Sequence, residues 1–148
     1  MVDAVLTASR VLVAIAARSL AEAGEAVTLT QYRALVILAS CGPQSLSALA
    51  DALAVTPPTA SRVCDGLVRK HLVRRRSDPS DRRRVRIALG VAGRRLIDNV
   101  TANRRCEIAA LLDSISAEDR PALLAALGRL AESAGEVPEQ EWNTAWDL

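Results

Sequence analysis

Aromatic residues are nearly missing from this chain: there is no Phe, one Tyr and two Trp in 148 residues. Proteins that hold single-stranded nucleic acid stack bases on aromatic rings, so that class is disfavoured. Duplex binding, which needs charge and shape, is not. Cysteine is sparse as well. Cys41, Cys64 and Cys106 are an odd number with no CxxC spacing, which implies no disulfide framework and fits a reducing cytoplasm. One histidine and dispersed thiols offer no zinc ligand set, and no metal or other cofactor is expected. A Ser/His/Asp set and a Gly-rich phosphate loop are also missing, so the chain does not read as an enzyme. Apolar runs are short too. The run at residues 11–17 is bracketed by Arg10 and Arg18, and Asp3 stands where a secretory signal would be positive. A membrane span of about 20 apolar residues is therefore not expected.

What the chain does have is charge gathered in one place. Between Arg62 and Arg95 lie twelve basic side chains and only Asp65, Asp78 and Asp81, a net of +9. The remainder carries seven basic and fourteen acidic residues, a net of −7, so the total of +2 hides a polarised molecule. Charge gathered this way attracts polyanions. A hydrophobic fraction of 50% is ample for the core of one compact domain.

The periodicity predicts mostly helix, in the order α-α-α-α-β-β-α-α. Residues 3–23 form a first helix that Gly24 ends. Thr28 and Gln31 make a capping box for a second helix to about Ala39, with Tyr32, Leu35, Val36 and Leu38 inward and Cys41-Gly42-Pro43 as the stop. Ser45 caps a short helix over residues 46–53, and Ala54-Val55 turns the chain. Thr56 is the N-cap of the next helix, with Pro57 at its first position. Its apolar stripe is Ala60, Val63, Cys64, Leu67 and Val68, and His71 stands at its left-handed stop. Two strands follow. Residues 72–76 run into the turn cluster of residues 77–81, and the return alternates, with Val85, Ile87 and Leu89 inward and Arg84, Arg86 and Ala88 outward. A long helix from about Val91 to Ser114 precedes a last one capped by residues 116–119 and carrying Leu123, Leu124, Leu127 and Leu130. Residues 135–148 are an acidic tail with Trp142 and Trp146. The reading is one domain over residues 1–148. A winged helix–turn–helix unit occupies 28–90, and the flanking helices are 3–23 and 91–134.

Helix, short turn, helix and basic hairpin form an arrangement suited to duplex DNA. The major groove admits one helix, whose N-terminal residues reach base edges. Thr56, Pro57, Pro58, Thr59, Ser61 and Arg62 stand at that end. The helix N-terminus also offers N–H groups to phosphate. On the hairpin, Arg82, Arg83, Arg84 and Arg86 are placed to enter a minor groove, whose potential attracts guanidinium. Arg69, Arg74, Arg75 and Arg76 are candidates for the sugar–phosphate backbone.

At these residues the sequence resembles the MarR family of bacterial transcription regulators. The likeness is carried by residues 28–35, 46–55, 59–62 and 72–76, and above all by the wing segment Asp78-Pro-Ser-Asp-Arg-Arg-Arg-Val85. It implies a homodimer held by interlocked outer helices, which presents two winged units to a palindromic operator. It also implies that the helix from Pro57 to Lys70 is the recognition helix, with Arg83 entering the minor groove and Asp81 orienting it. A small amphipathic or aromatic effector between the dimer helices and the winged unit is implied too, with Tyr32 and Arg33 as candidate pocket edges. Two positions depart from the family pattern: Gly90 stands where Thr is usual before the long helix, and His71 where Gly is frequent.

Plainer readings stand beside these. Asp65 and Arg69, at i and i+4, make a helix-surface pair. Cys64 and Cys41 are structural thiols, with Cys106, beside Arg104 and Arg105, the better candidate for a redox sensor. Trp142 and Trp146 belong to a frayed tail, or else clamp the dimer or cover a pocket. The rival function is a protein-binding module on a winged-helix scaffold.

Overall fold

In a computed structural model, which describes residues 1–24 and 26–142, six α-helices surround a small antiparallel sheet. Helix α1 (Val2–Glu22) is followed by α2 (Leu29–Cys41), strand β1 (Gln44–Ser45), α3 (Leu46–Leu53) and α4 (Pro57–Arg69). Then come β2 (Val73–Ser77), β3 (Val85–Leu89), α5 (Val91–Leu112) and α6 (Arg120–Ser133), and a short 3-10 turn at Glu139–Glu141. The fold is a winged helix–turn–helix with long helices at both ends.

Local signals set most boundaries. Thr28 Oγ1 accepts from the Gln31 amide, and Gln31 Oε1 accepts from the Thr28 amide, both at 3.1 Å. Each of two otherwise orphaned donors is thereby satisfied. Ser45 Oγ accepts from the Ala48 amide at 3.1 Å and starts α3 in the same way. Ala54 closes α3 in the left-handed region, at φ 53°. His71 does the same after α4, at φ 57°. The amide of His71 donates to Val68 O and that of Leu72 to Leu67 O, a paired C-terminal stop of the Schellman kind.

The core joins α2, α3, α4 and α5 to the sheet. Leu35, Leu38, Leu49, Leu67, Leu72, Ile97 and Val100 are fully buried. On α2 the inward set is Tyr32, Ala34, Leu35, Ile37, Leu38 and Ala39, so Ile37 takes the place expected for Val36, which is only partly covered. The sheet has three strands, not the two expected, in the order β1-β3-β2. The added strand is only Gln44–Ser45, paired with Ile87 and Arg86.

The return strand does not alternate as its sequence suggests. Val85 is 52% exposed, whereas Ala88 is 1% exposed and buried beside Ile87 and Leu89. Val85 pairs with Ser77 at the wing's far end, beyond the helical layer, while Ala88 pairs with Arg74 over it. Depth along the hairpin therefore outweighs the face a residue points to.

Helix α1 packs on α5, burying Ile15, Ser19 and Leu20, and Arg18 bonds Glu107 at 2.5 Å. Taken whole, α1 is long and apolar enough to cross a membrane by length and composition alone, a test that helices of folded domains also pass. Its apolar residues Val2, Val5, Leu6, Val11, Leu12 and Val13 are exposed. So are Leu111 and Leu112 at the end of α5 and Leu124, Leu127 and Leu130 on α6, a helix with no buried residue.

Candidate nucleic-acid interface

Helix α4 and the β2–β3 wing form one cationic head. At the start of α4, Thr56, Pro57, Pro58 and Arg62 are exposed and Thr59 and Ser61 partly so. Thr56 holds the N-cap position, yet its side chain caps no amide. Its hydroxyl instead meets that of Thr59 at 3.0 Å. Pro57 and Pro58 carry no N–H, so Thr59 is the one first-turn residue with an amide to offer. The expected phosphate site at the helix N-terminus is reduced accordingly. The Arg62 guanidinium lies back along the helix, Nε donating to Pro58 O at 3.4 Å, at no cost in burial.

The wing is organised by two carboxylates with different tasks. Asp81 closes the tip: Oδ1 accepts from the Arg83 amide at 3.0 Å and its carbonyl from the Arg84 amide at 2.8 Å. The Asp81 carboxylate also lies 3.7 Å from the Nε atoms of both Arg83 and Arg84. The Arg83 side chain is 96% exposed.

Asp78 is the buried one, at 5% exposure. Its Oδ1 accepts from the amide and hydroxyl of Ser80, at 2.8 and 2.6 Å, and its Oδ2 from Arg86 Nε at 2.5 Å. Arg86 Nη1 reaches on to Pro43 O at 3.4 Å. Arg86, expected among the groove-facing arginines, is thus a brace between the wing and the start of β1. The Ser80 hydrogen bonds, then the bond from Arg86, hold the Asp78 carboxyl well below the usual carboxylate range. A depressed pKa contributes stability that is complete above the ordinary carboxylate value, near 4, and is lost as pH falls through the folded value. The wing is therefore locked throughout the neutral range. Asp78→Ala is expected to unlock it, raising amide hydrogen exchange at Ser80, Arg83 and Arg84 on the order of tenfold while core helices stay protected. Unchanged exchange at these amides would remove Asp78 from this role.

A second correction concerns the helix surface. Asp65 is held by Arg75 on β2 at 2.5 Å, rather than by Arg69 one turn along. This bridge ties α4 to the sheet and takes Arg75 partly out of the backbone-contact set. Arg69 and Arg74 are exposed and Arg76 half-buried. Among the thiols, Cys64 is buried, and desolvation raises its pKa. Cys41 and Cys106 are exposed, so Cys41 is not the buried thiol expected of a helix end.

Tyr32 and Arg33 do edge a cavity. A cleft of about 600 Å³ opens between α1, α2, α5 and the segment after α6, lined in part by Leu29, Tyr32, Val36 and Ile108. Trp142 also lines it. The indole follows the 3-10 turn, packs against the core and donates from Nε1 to Val137 O at 3.0 Å, so it is not a frayed end. Trp146 lies outside the described residues. Of the alternatives for Trp142, covering a pocket is the one its position matches, whereas sequence reasoning missed the share of Glu136 and Glu139 in the cleft. The one signal was the spacing of Glu136, Glu139 and Trp142, which nothing local connects to Arg33 a hundred residues earlier.

The MarR family profile matches residues 27–85. The HTH-type transcriptional repressor NicR of Pseudomonas putida is 31% identical over 107 residues, which cover 72% of this chain and 68% of NicR. The crystal structure of RV1404 from Mycobacterium tuberculosis superposes with a TM-score of 0.87 at 42% identity, covering 93% of each chain. A MarR family protein from Bacillus stearothermophilus gives a TM-score of 0.74 at 25% identity, covering 91% of this chain and 96% of the other.

Proposed function

This chain belongs to the MarR family of DNA-binding transcriptional regulators, and from that premise we propose that it works as a homodimeric, effector-released repressor of a palindromic operator. The carrying observation is that α6 buries none of its residues within the protomer, although Leu124, Leu127 and Leu130 share one side of it. An apolar surface of this kind, continued by α1 and the end of α5, calls for a partner. A second copy supplies the same surface under two-fold symmetry. Two cationic heads then meet two half-sites one or more helical turns apart.

In this reading residues 3–23 and 91–134 build the dimer, and 28–90 the reading head. Thr56, Pro58, Thr59, Ser61 and Arg62 face bases, and Arg82, Arg83 and Arg84 enter the minor groove. Arg69, Arg74 and Arg76 follow the backbone. The repressor sense draws on NicR, a relative named as a repressor, and a cytoplasmic location accompanies the DNA partner. A small amphipathic effector in the cleft beside Tyr32 and Arg33 favours a spacing of the heads that mismatches the operator, and so lowers affinity through its preference for one of two states.

The test is fluorescence anisotropy against duplex from the chain's own upstream region, with scrambled duplex as control, across a salt series. Selective binding with a steep salt slope is expected. Arg83→Ala should weaken binding to all sequences and flatten the slope by about one unit. Arg62→Ala should relax base preference at one position per half-site, at a cost of about 1–3 kcal/mol. Equal behaviour of both variants and the parent would refute this docking geometry.

A further inference from the structure

We propose that residues 136–142 are a displaceable wall of the cleft, an acidic strap that holds Arg33 and Arg105 until a small aromatic anion takes its place on them. The inference rests on the effector reading above and adds how the same site is regulated.

After α6 the chain turns at Gly135, in the left-handed region, and lays three side chains on the cleft within seven residues. The Glu136 carboxylate meets Arg33 as a two-armed fork, with Nη1 donating to Oε2 at 3.1 Å and Nη2 to Oε1. Glu139 accepts from Arg105 Nη2 at 3.0 Å. Trp142 adds an aromatic face, and its bond to Val137 O closes the strap on itself. Carboxylate and ring over a floor of Tyr32, Val36 and Ile108 is the chemistry a small aromatic anion would bring. The strap therefore forms one wall of the cleft and holds the two cations that such a ligand would meet.

Two observations favour displacement over a permanent seal. Both ion pairs are partly solvated, with Arg33 and Glu136 equally half-exposed and Arg105 more so. Pairs of this kind hold weakly. In addition, Arg104 on the cleft wall has its Nε buried without a hydrogen-bond partner among the described residues. That donor is left unsatisfied while the strap is in place. Tethering keeps the strap's carboxylates at high effective concentration, so a ligand binds only in proportion to the fraction of open strap. The strap thereby sets a concentration threshold for the effector.

The experiment uses the full chain and its Glu136→Gln/Glu139→Gln variant. The probe is 2-naphthoate, with 2-naphthamide as the uncharged control, and binding is followed by calorimetry. A Trp146→Phe background makes Trp142 the sole tryptophan for acrylamide quenching. The double variant should bind 2-naphthoate about five- to tenfold more tightly, because two weak pairs no longer compete. 2-Naphthamide should gain less, and Trp142 should become more accessible to quencher. Equal or weaker 2-naphthoate affinity with unchanged quenching overturns the strap. Operator anisotropy separates the two readings. Tighter 2-naphthoate binding that leaves DNA affinity untouched retains the strap and rejects the effector role. Equal release of DNA from parent and variant retains the effector role and rejects the strap.

Discussion

Leu124→Glu together with Leu127→Glu is expected to yield a folded monomer that no longer grips a two-half-site duplex. Leu124 is 74% exposed in the protomer, and Leu127 sits one turn further along the same helix. Neither belongs to the core that joins α2–α5 to the sheet, so the helical signal and the head's melting should survive. In a dimer the two glutamates would be buried opposite their symmetry mates. Desolvated like charges of this kind cost far more than the lost leucine contacts. Loss of the linked second head should lower operator affinity by about 100-fold or more and roughly halve the salt slope, since half the phosphate contacts go. Light scattering gives the mass and anisotropy the affinity. A variant that remains dimeric with parental affinity would place the interface away from α6.

Gly93→Val should be the most damaging single change where α5 seats on the head. A Cβ at Gly93 would lie 2.3 Å from Leu72 O and 2.8 Å from Leu89 Cδ1. The carbonyl is backbone, pinned by the hydrogen bond it accepts from the Gly90 amide at 2.8 Å, so the clash is not relieved by a rotamer. Helix α5 must lift from the sheet, exposing Leu96 and Ile97. Overpacking against backbone costs about 3 kcal/mol or more, or about 6–12 °C in Tm for a chain of this size. Gly128→Ala is the control. It lies inside α6 with nothing within 4 Å in the protomer and far along the chain from the seat of α5, so it should leave the melting of the head unchanged. Parental melting of Gly93→Val by calorimetry would contradict the close seating of α5 on residue 72.

Features written in neighbouring residues are legible in the sequence alone. The Thr28–Gln31 box, the Ser45 cap and the left-handed His71 each depend on residues within one turn. So does the buried stripe of α4, in which Ala60, Cys64 and Leu67 are fully buried. What the sequence conceals depends on distant partners. Strand β1 exists only because Gln44 and Ser45 meet Ile87 and Arg86 some forty residues later. Arg84 and Arg86 look alike in a run of arginines, yet only Arg86 stands over the buried Asp78. Likewise Asp65 selects Arg75 across space over Arg69 along the helix, because the sheet brings the former to it. The candidate head is thus readable as a cationic surface, but which of its arginines are spent inside the protein is not.

The paired prolines at the tip of α4 bear on how such a protein searches a genome. Backbone amides at a helix tip grip phosphate identically on every sequence. With Pro57 and Pro58 that grip is largely absent, so in the proposed docking contact at this end is left to the hydroxyls and guanidinium of neighbouring side chains. Removing a sequence-blind contact lowers right and wrong sites alike and leaves their ratio intact. What it changes is dwell time: each wrong site is vacated sooner, and more of them are sampled per second.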